Sequence, residues 1–471
     1  MLQRILTATW TSITLALTTL PSTLSAAEGR PNIIYVLADD LGYGDLGCYG
    51  QKTLKTPNLD RMAREGMRFT RHYAGSTVCA PSRCVLMTGL HTGHARIRGN
   101  GPGQLLPSDL TIARVLQRSG YKTGCFGKWG IGNPPPLNDP NLHGFDEFYG
   151  YVNMFHAHNF YPEFLVRNGK KESLRNRLYP DWKKKQTPER EGMGVSQTAI
   201  DYAPEKIFEE AKAFVRSQYR QPFFLYYALN IPHANNEGGR EPRIGKNGMR
   251  SPHSEQFASQ DWPLQEKGFA GMLSAIDEQI GELLNLLKEL NIDEQTIVFF
   301  SSDNGPHQEG GHKMEFFNSN GALRGKKRDL YEGGIRVPLI VRWPSHIAPK
   351  GTSNLISGFQ DMFPTFAELA GVTGTPHGDG LSITPTLLGK KAQQVTHPYL
   401  YWEFYEQGGK ASVLQGNWKA VRRNLIQDPN APIELYRLDQ DIDESQNLAE
   451  QYPALARSFA TIMTKEHVEQ E

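Results

Sequence analysis

Three stretches of this chain are apolar almost without a break: residues 32–38 (NIIYVLA), 223–229 (FFLYYAL) and 296–300 (TIVFF). A strand with one wet face alternates apolar and polar side chains, and these do not. They read as strands buried on both faces, the pattern of a parallel sheet. A shorter run, 121–126, reads the same way. Amphipathic helical periods lie between the runs. Leu273, Ile276, Ile280, Leu283, Leu284 and Leu287 recur every three or four residues ahead of the third strand. Residues 110–118 and 201–217 precede the fourth and second runs. Helices alternating with doubly buried strands predict an α/β domain with a large, mostly parallel central sheet flanked by helices. From about residue 385 the pattern changes. Short strand-like runs at 399–404, 411–414, 418–421 and 434–438, then a helical stretch at 452–467, predict a small antiparallel sheet with a helix. The expected organisation is residues 28–384 as one α/β domain and 385–471 as a small α+β subdomain.

The N-terminal segment reads as an address. Arg4 is its only charge, residues 5–20 are apolar and threonine-rich, and it ends Ser25-Ala26-Ala27. That order is the n-region, h-region and cleavage site of a secretory signal peptide over residues 1–27, and the apolar part is short for a membrane span. The expected location is periplasmic or secreted, with no stable membrane span. Formal charge is +1 from 51 basic and 50 acidic residues, so no field is available for bulk binding of nucleic acid. The four cysteines, Cys48, Cys79, Cys84 and Cys125, are too sparse for a disulfide framework. If one is used chemically, at most one pair remains among the rest. The polar, basic stretch 167–190 reads as a solvated insertion loop.

In open α/β sheets ligands bind beyond the carboxyl ends of the strands. Here those ends carry Asp39 and Asp40, Lys128, His233, and Asp303 and Asn304. Three carboxylates and an amide make an all-oxygen donor set, suited to Ca²⁺ or Mg²⁺ rather than zinc. Without a cation such carboxylates would raise one another's pKa. In Cys79-Ala80-Pro81-Ser82-Arg83, Pro81 suits the first turn of a helix and places Cys79 at its N-terminus.

The segment from Cys79 through Pro81, Ser82, Arg83, Met87, Thr88 and Gly89 resembles the sulfatase signature C-x-P-S-R-x-x-x-(L/M)-T-G. The similarity extends to PNIIYVLADDLGYGD near the start, FGKWG at 126–130, SSDNG at 301–305, LRGKKRDLYEGGIRVP at 323–338 and ELYRLDQDIDESQNLA at 434–449. The chain thus resembles the type I, formylglycine-dependent, arylsulfatase-like family. The resemblance implies an alkaline-phosphatase-like α/β sandwich and sulfuric ester hydrolysis. It implies that a maturation enzyme oxidises Cys79 to formylglycine, whose hydrate attacks the sulfate sulfur and then eliminates sulfate, dividing one difficult step into two. By position, Asp39, Asp40, Asp303 and Asn304 would ligate Ca²⁺, with Mg²⁺ the second choice and residue 79 completing the shell. Arg83 would stabilise the hydrate and the metal carboxylates. Lys128 and Lys327 would hold sulfate, and His233 would be the general acid.

One position departs from the family. The usual motif G-K-W-H-x-G here reads Gly127-Lys128-Trp129-Gly130-Ile131-Gly132, so a histidine that assists aldehyde regeneration is absent. His307 and His312, just after the metal motif, are candidates to contact substrate, or are ordinary loop histidines. Export and the aromatic stretch 155–160, beside the usual loop-packing explanation, point to a sulfated carbohydrate, with sulfated galactose or N-acetylgalactosamine as the expected unit. Two other readings stand beside this one. The first is a phosphoester hydrolase on the same fold. The second is a non-catalytic glycan-binding relative, which Gly130 suggests and which would keep Cys79 unmodified. The sequence does not speak to oligomeric state or to exo or endo action.

Overall fold

The computed structural model describes residues 29–101, 103–131, 139–374 and 377–469. The signal-peptide reading of residues 1–27 and Gly132 of the lysine motif lie outside them. The first strands are β1 (Asn32–Ala38), β2 (Met67–Tyr73), β3 (Lys122–Lys128), β4 (Glu147–Tyr151), β5 (Phe164–Arg167) and β6 (Lys170–Ser173). A small ribbon, β7 (Arg177–Leu178) with β8 (Ser196–Thr198), stands apart. Then come β9 (Phe223–Ala228), β10 (Thr296–Ser302), β11 (Arg336–Arg342), β12 (Gly351–Ser353) and β13 (Ser357–Gly358). Eleven of these form one sheet in the order β12-β2-β11-β10-β1-β9-β3-β4-β5-β6, with β13 also on β2. Its centre, β10-β1-β9-β3-β4, is parallel, while β11, β5 and β6 pair antiparallel to their neighbours.

The unbroken apolar sequence of β1 is explained by its surroundings. Ile34, Val36 and Ala38 face one core and Ile33, Tyr35 and Leu37 the other. The first core is closed by helices Pro57–Glu65, Ala203–Gln218 and Leu264–Glu289, the second by Cys79–Thr88, Ile112–Arg118 and Met362–Leu369. Each fully buried aliphatic side chain contributes about 1.5–3 kcal/mol, so sidedness at every second residue fixes the register of the central strands. The stretch 167–190 is more ordered than a solvated loop. Its start closes the β5–β6 hairpin and extends the sheet edge, where Lys170 to Ser173 are exposed. A short helix, Pro180–Lys183, follows. The four cysteines are free thiols.

The C-terminal part is a second sheet, β14 (Leu400–Phe404), β15 (Lys410–Gln415), β16 (Trp418–Arg423) and β17 (Ile433–Arg437), antiparallel throughout. Helix Pro453–Glu466 packs Phe459 and Met463 on one of its faces.

The turn after β1 holds a buried carboxyl whose ionisation opposes folding. Asp45 Oδ2 accepts from Gly42 N–H at 2.7 Å, and Oδ1 has no partner. Burial pushes its pKa up to about 7, against the hydrogen bond from Gly42. The folded state therefore holds a proton that the unfolded chain releases near pH 4, and this group's contribution to stability falls as pH rises from about 4 to about 7. Asp45→Asn is expected to stabilise the protein at pH 8 by more than about 1 kcal/mol, with a smaller effect at pH 4. Urea denaturation at the two pH values measures the difference, and equal effects would contradict it.

Candidate active site

The four strands expected from apolar runs are the four adjacent central ones, β10-β1-β9-β3. Their carboxyl ends therefore lie side by side, and the polar residues beyond them meet. Asp39 and Asp40 follow β1, with Asp40 in the left-handed region at φ 64°. Its N–H donates to Asp303 Oδ1 at 3.0 Å, which ties the β1 turn to the β10 turn. Lys128 ends β3. His233 follows β9 after a cis Ile231–Pro232 peptide bond.

Oxygens of Asp39, Asp40 and Asp303 lie within 4.8 Å of one another, all buried. Asp39 Oδ1 and Asn304 Oδ1 are buried without a hydrogen-bond partner. Orphaned oxygens amid converging carboxylates are what a hard divalent cation would satisfy, so the donor set fits one. Cations of the chain complete the balance. Lys128 Nζ donates to Asp39 Oδ2 at 2.7 Å and Lys327 Nζ to Asp40 Oδ2 at 2.9 Å. Arg83 is fully buried and forks onto Asp303 Oδ2 at 3.0 and 2.8 Å, while its third nitrogen donates to the Lys128 carbonyl at 2.6 Å. Burial alone would raise all three carboxyls. At Asp39 the Lys128, His233 and Arg83 charges outweigh burial and hold it far below its usual range. Asp40 is lowered, chiefly by Lys327 against burial. Asp303 is pushed up to about 7 by burial and by Asp39, despite Arg83.

Cys79 begins helix Cys79–Thr88. Its thiol, with atoms of Asp39 and His233, lies in a group spanning no more than 4.8 Å. Burial raises the thiol pKa, with Lys128 pulling the other way. Asn100 Nδ2 stands 4.0 Å from its sulfur, a neighbour nothing in the sequence marks. Ser82 of the signature is structural: its hydroxyl donates to the Asp303 carbonyl at 2.5 Å and accepts from Gly75 N–H at 3.1 Å.

His233 keeps Nδ1 on the Ala234 carbonyl at 2.6 Å, which leaves Nε2 to accept from Lys327 Nζ at 2.9 Å. Burial and the Lys327 charge lower its pKa well below the ordinary imidazole value. Lys327 also reaches Glu309 Oε2 at 3.0 Å; burial disfavours its charge, but Asp40 and Glu309 outweigh burial and raise its pKa. Glu309, which also holds Arg328, is a site residue that sequence reasoning missed. His307 stacks on His233 with ring centroids 5.9 Å apart and hydrogen-bonds the Pro232 carbonyl at 3.0 Å. His312 stands one ring further back, flat against Phe269 at 4.1 Å, with Nδ1 on Glu266 at 2.6 Å. The structure thus brings together Asp39, Asp40, Cys79, Arg83, Lys128, His233, Asp303, Asn304 and Lys327, sets His307 beside them, and gives His312 to the long helix.

Two glycines shape the lysine turn. At Gly127 a Cβ would sit 1.8 Å from the Ala228 carbonyl oxygen, so only glycine lets β3 approach β9 there. Gly130 has φ 64°, and a Cβ would lie 3.2 Å from Lys128 Cε and 3.7 Å from Arg83 Cδ. The position where the family histidine is missing therefore faces two of the site's cations, Lys128 and Arg83. Another imidazole does come close to the site: His158 stacks on His233 at 4.8 Å and 15°. It comes from the aromatic stretch 155–160. In that stretch His156 is buried against Tyr151 and Phe164 instead.

Comparison with known proteins agrees with this arrangement. The sulfatase profile matches residues 31–372, and a profile for the C-terminal part of N-sulphoglucosamine sulphohydrolase matches 325–469. N-acetylgalactosamine-6-sulfatase of Rattus norvegicus is 33% identical, over 84% of this chain and 72% of its own. N-acetylgalactosamine-6-O-sulfatase of Bacteroides thetaiotaomicron is 30% identical over 92% of each. The crystal structure of Ps i-CgsB in complex with k-i-k-neocarrahexaose superposes with TM-score 0.75 at 28% identity, over 93% of this chain and 94% of that one. With a buried cysteine of the C-x-P-S-R signature beside a carboxylate cluster at the end of an alkaline-phosphatase-like sheet, and with a profile match over most of its length, the chain belongs to the sulfatase family of sulfuric ester hydrolases.

Proposed function

We propose that this chain hydrolyses a sulfate monoester on a carbohydrate, using residue 79, oxidised from cysteine to formylglycine, as nucleophile and Ca²⁺ as the bound cation. The observation that carries the reading is the position of Cys79: at a helix N-terminus, in reach of Asp39 and His233. The substrate class rests on the relatives, two named for N-acetylgalactosamine 6-sulfate and one solved with a neocarrahexaose. Sulfated galactose or N-acetylgalactosamine is the unit proposed. Export by residues 1–27, a formylglycine-generating partner, and a division near residue 385 belong to the same proposal. Among the described residues no helix is long and apolar enough to cross a membrane.

Asp39, Asp40, Asp303 and Asn304 would hold the cation, with residue 79 beside them. A divalent cation held there would supply positive charge to acidify a hydroxyl on residue 79 and to offset the charge of the sulfate. The chain's own residues do the rest. Lys128 and Lys327 place two ammonium groups around the sulfate and offset its charge. Arg83 fixes Asp303 and the Lys128 carbonyl and so holds the floor of the site rigid. His233 Nε2 and Lys327 Nζ share a hydrogen bond, and this pair delivers a proton to the leaving oxygen.

The test is turnover by protein purified from its native source. An aryl sulfate and 6-sulfated N-acetylgalactosamine should be hydrolysed, and an aryl phosphate should be a much poorer substrate. A preference for phosphate would move the chain to the phosphoester reading, and glycan binding without turnover to the binding-protein reading. Chelation should abolish activity and lower the melting temperature, since a cation held at one hundred times its Kd stabilises by about 2.7 kcal/mol. Ca²⁺ should restore both better than Mg²⁺. Activity and melting temperature unchanged by chelation would contradict the metal assignment.

A further inference from the structure

A cavity of about 870 Å³ opens beside the site, between the segment around helix Pro180–Lys183 and the loop that follows His233. Its cations fall into two kinds. Arg243 is a fastener: it forks onto Asp181 at 3.0 and 2.9 Å, grips Glu241 at 2.6 Å and lies 3.9 Å over the Tyr179 ring. Glu241 in turn accepts from Trp182 Nε1 at 2.9 Å. Two of the cavity's carboxylates, Asp181 and Glu241, are thus tied into its wall by one arginine. Lys185, Arg190 and Arg240 are exposed and, among the described residues, make no ion pair. Lys185 lies 4.2 Å over Trp182, and Arg190 5.2 Å over Phe155. Aromatic faces hold these two cations in place without quenching their charge.

A chain of side-chain contacts links the cavity to the chemistry. Its third carboxylate, Glu237, faces His158 Nδ1 at 3.5 Å, and His158 is the ring stacked on His233. Burial would raise the Glu237 pKa, but the His158 contact and the Arg240 charge keep it lowered. From the imidazole beside the sulfate site to the cavity wall is therefore one ring and one carboxylate.

We propose that this cavity is a subsite for a second anionic substituent of the substrate, carried on a sugar next to the one that bears the scissile sulfate. The lining carries four cations against three carboxylates, so the three exposed cations leave a local positive field that an entering anion would satisfy, and Trp182 stands in the wall where a sugar ring can pack. The inference rests on the sulfatase reading and narrows the substrate to a multiply charged oligosaccharide. The second charge is a sulfate ester or a uronate carboxylate, which share the chemistry recognised here.

The experiment compares wild type with the variants Arg240→Glu, Lys185→Glu and their combination with Arg190→Glu. Substrates are an aryl monosulfate, a singly sulfated disaccharide, and the same disaccharide with a second sulfate or with a carboxylate on the neighbouring sugar. The triple variant should raise KM for the doubly charged substrates about tenfold or more, with kcat little changed, and lose much of the salt dependence of binding. The aryl sulfate and the singly sulfated disaccharide should keep their kcat/KM. The doubly charged substrate most affected identifies which anion the cavity takes. Equal losses on all substrates, or no loss on any, would overturn the subsite while leaving the sulfatase reading intact. Absence of aryl sulfate turnover in wild type would instead sink that reading. In that case calorimetric titration of the doubly charged disaccharides into wild-type and triple-variant protein decides the subsite: about tenfold weaker binding supports it, and equal binding rejects it.

Discussion

Cys79→Ala is expected to lower sulfate ester turnover by about 10⁵–10⁶-fold, the scale of loss when a covalent nucleophile is removed. The fold should survive. The thiol is buried, its hydrogen bond among the described residues is a weak one from Asn100 at 4.0 Å, and the helix it begins is anchored elsewhere. Arg83 and Ser82, one turn on, carry the ties to Asp303 and to the Lys128 carbonyl. Cys79→Ser separates two explanations for the loss. It restores a hydroxyl at the same place, but a serine sulfate has no second hydroxyl from which to expel sulfate, so any activity should be a single burst that does not turn over. Mass analysis of the peptide carrying residue 79 completes the argument. Native protein should show an aldehyde in place of the thiol. An intact thiol in fully active protein would remove formylglycine from the mechanism.

The ease with which the site is found in the sequence has a physical cause. A strand buried on both faces must be apolar throughout, so β1, β9 and β10 announce themselves, and the first polar residue after each marks the sheet's carboxyl edge. Because these strands and β3 are neighbours, residues far apart in sequence become one cluster: Asp39 and Asp303, separated by more than half the chain, need only the parallel register of β1 on β10 to meet. The flanking strands lack this signal. In β2 (MRFTRHY) charged residues interrupt the apolar ones because its burial is partial. In β11, Pro338 breaks the pattern, and the structure accommodates it at a register shift between Val337 and Leu339 against β2, where a missing N–H costs little. Glu309, Asn100 and Glu237 were illegible for a different reason. Each works through contacts made by loop closure, and no periodicity governs where a loop residue ends up.

The largest effect on stability is expected in the small C-terminal sheet. Lys419 on β16 is wholly buried, with Nζ 2.8 Å from Glu332 Oε1 and 3.2 Å from Glu444 Oε1, both also buried. Glu332 has further support from the Tyr73 hydroxyl at 2.9 Å and Arg336 at 3.2 Å. Glu444 has less: its Oε2 accepts from Glu332 N–H at 2.7 Å, and burial, opposed by Lys419, pushes its pKa up to about 7. Lys419→Met leaves two buried carboxylates beside each other with that compensation gone, and should cost about 3–5 kcal/mol at pH 8. The sign with pH is determined. Glu444 has a raised folded pKa, so its burial is least unfavourable when it is protonated, and the loss should shrink at pH 5. Adding Glu444→Gln to Lys419→Met should recover part of it. Denaturation at the two pH values reads both effects; a loss under 1 kcal/mol, or one that does not depend on pH, would refute the account. Activity ought to follow. Glu332 opens the short helix Glu332–Ile335 just after the segment carrying Lys327 and Arg328, and Lys410 on β15 holds that segment by the Arg328 carbonyl at 2.5 Å. The small sheet therefore grips the loop that delivers Lys327 to Asp40 and His233. Loosening its seam should raise KM for the sulfate ester at temperatures where the rest of the protein is still folded.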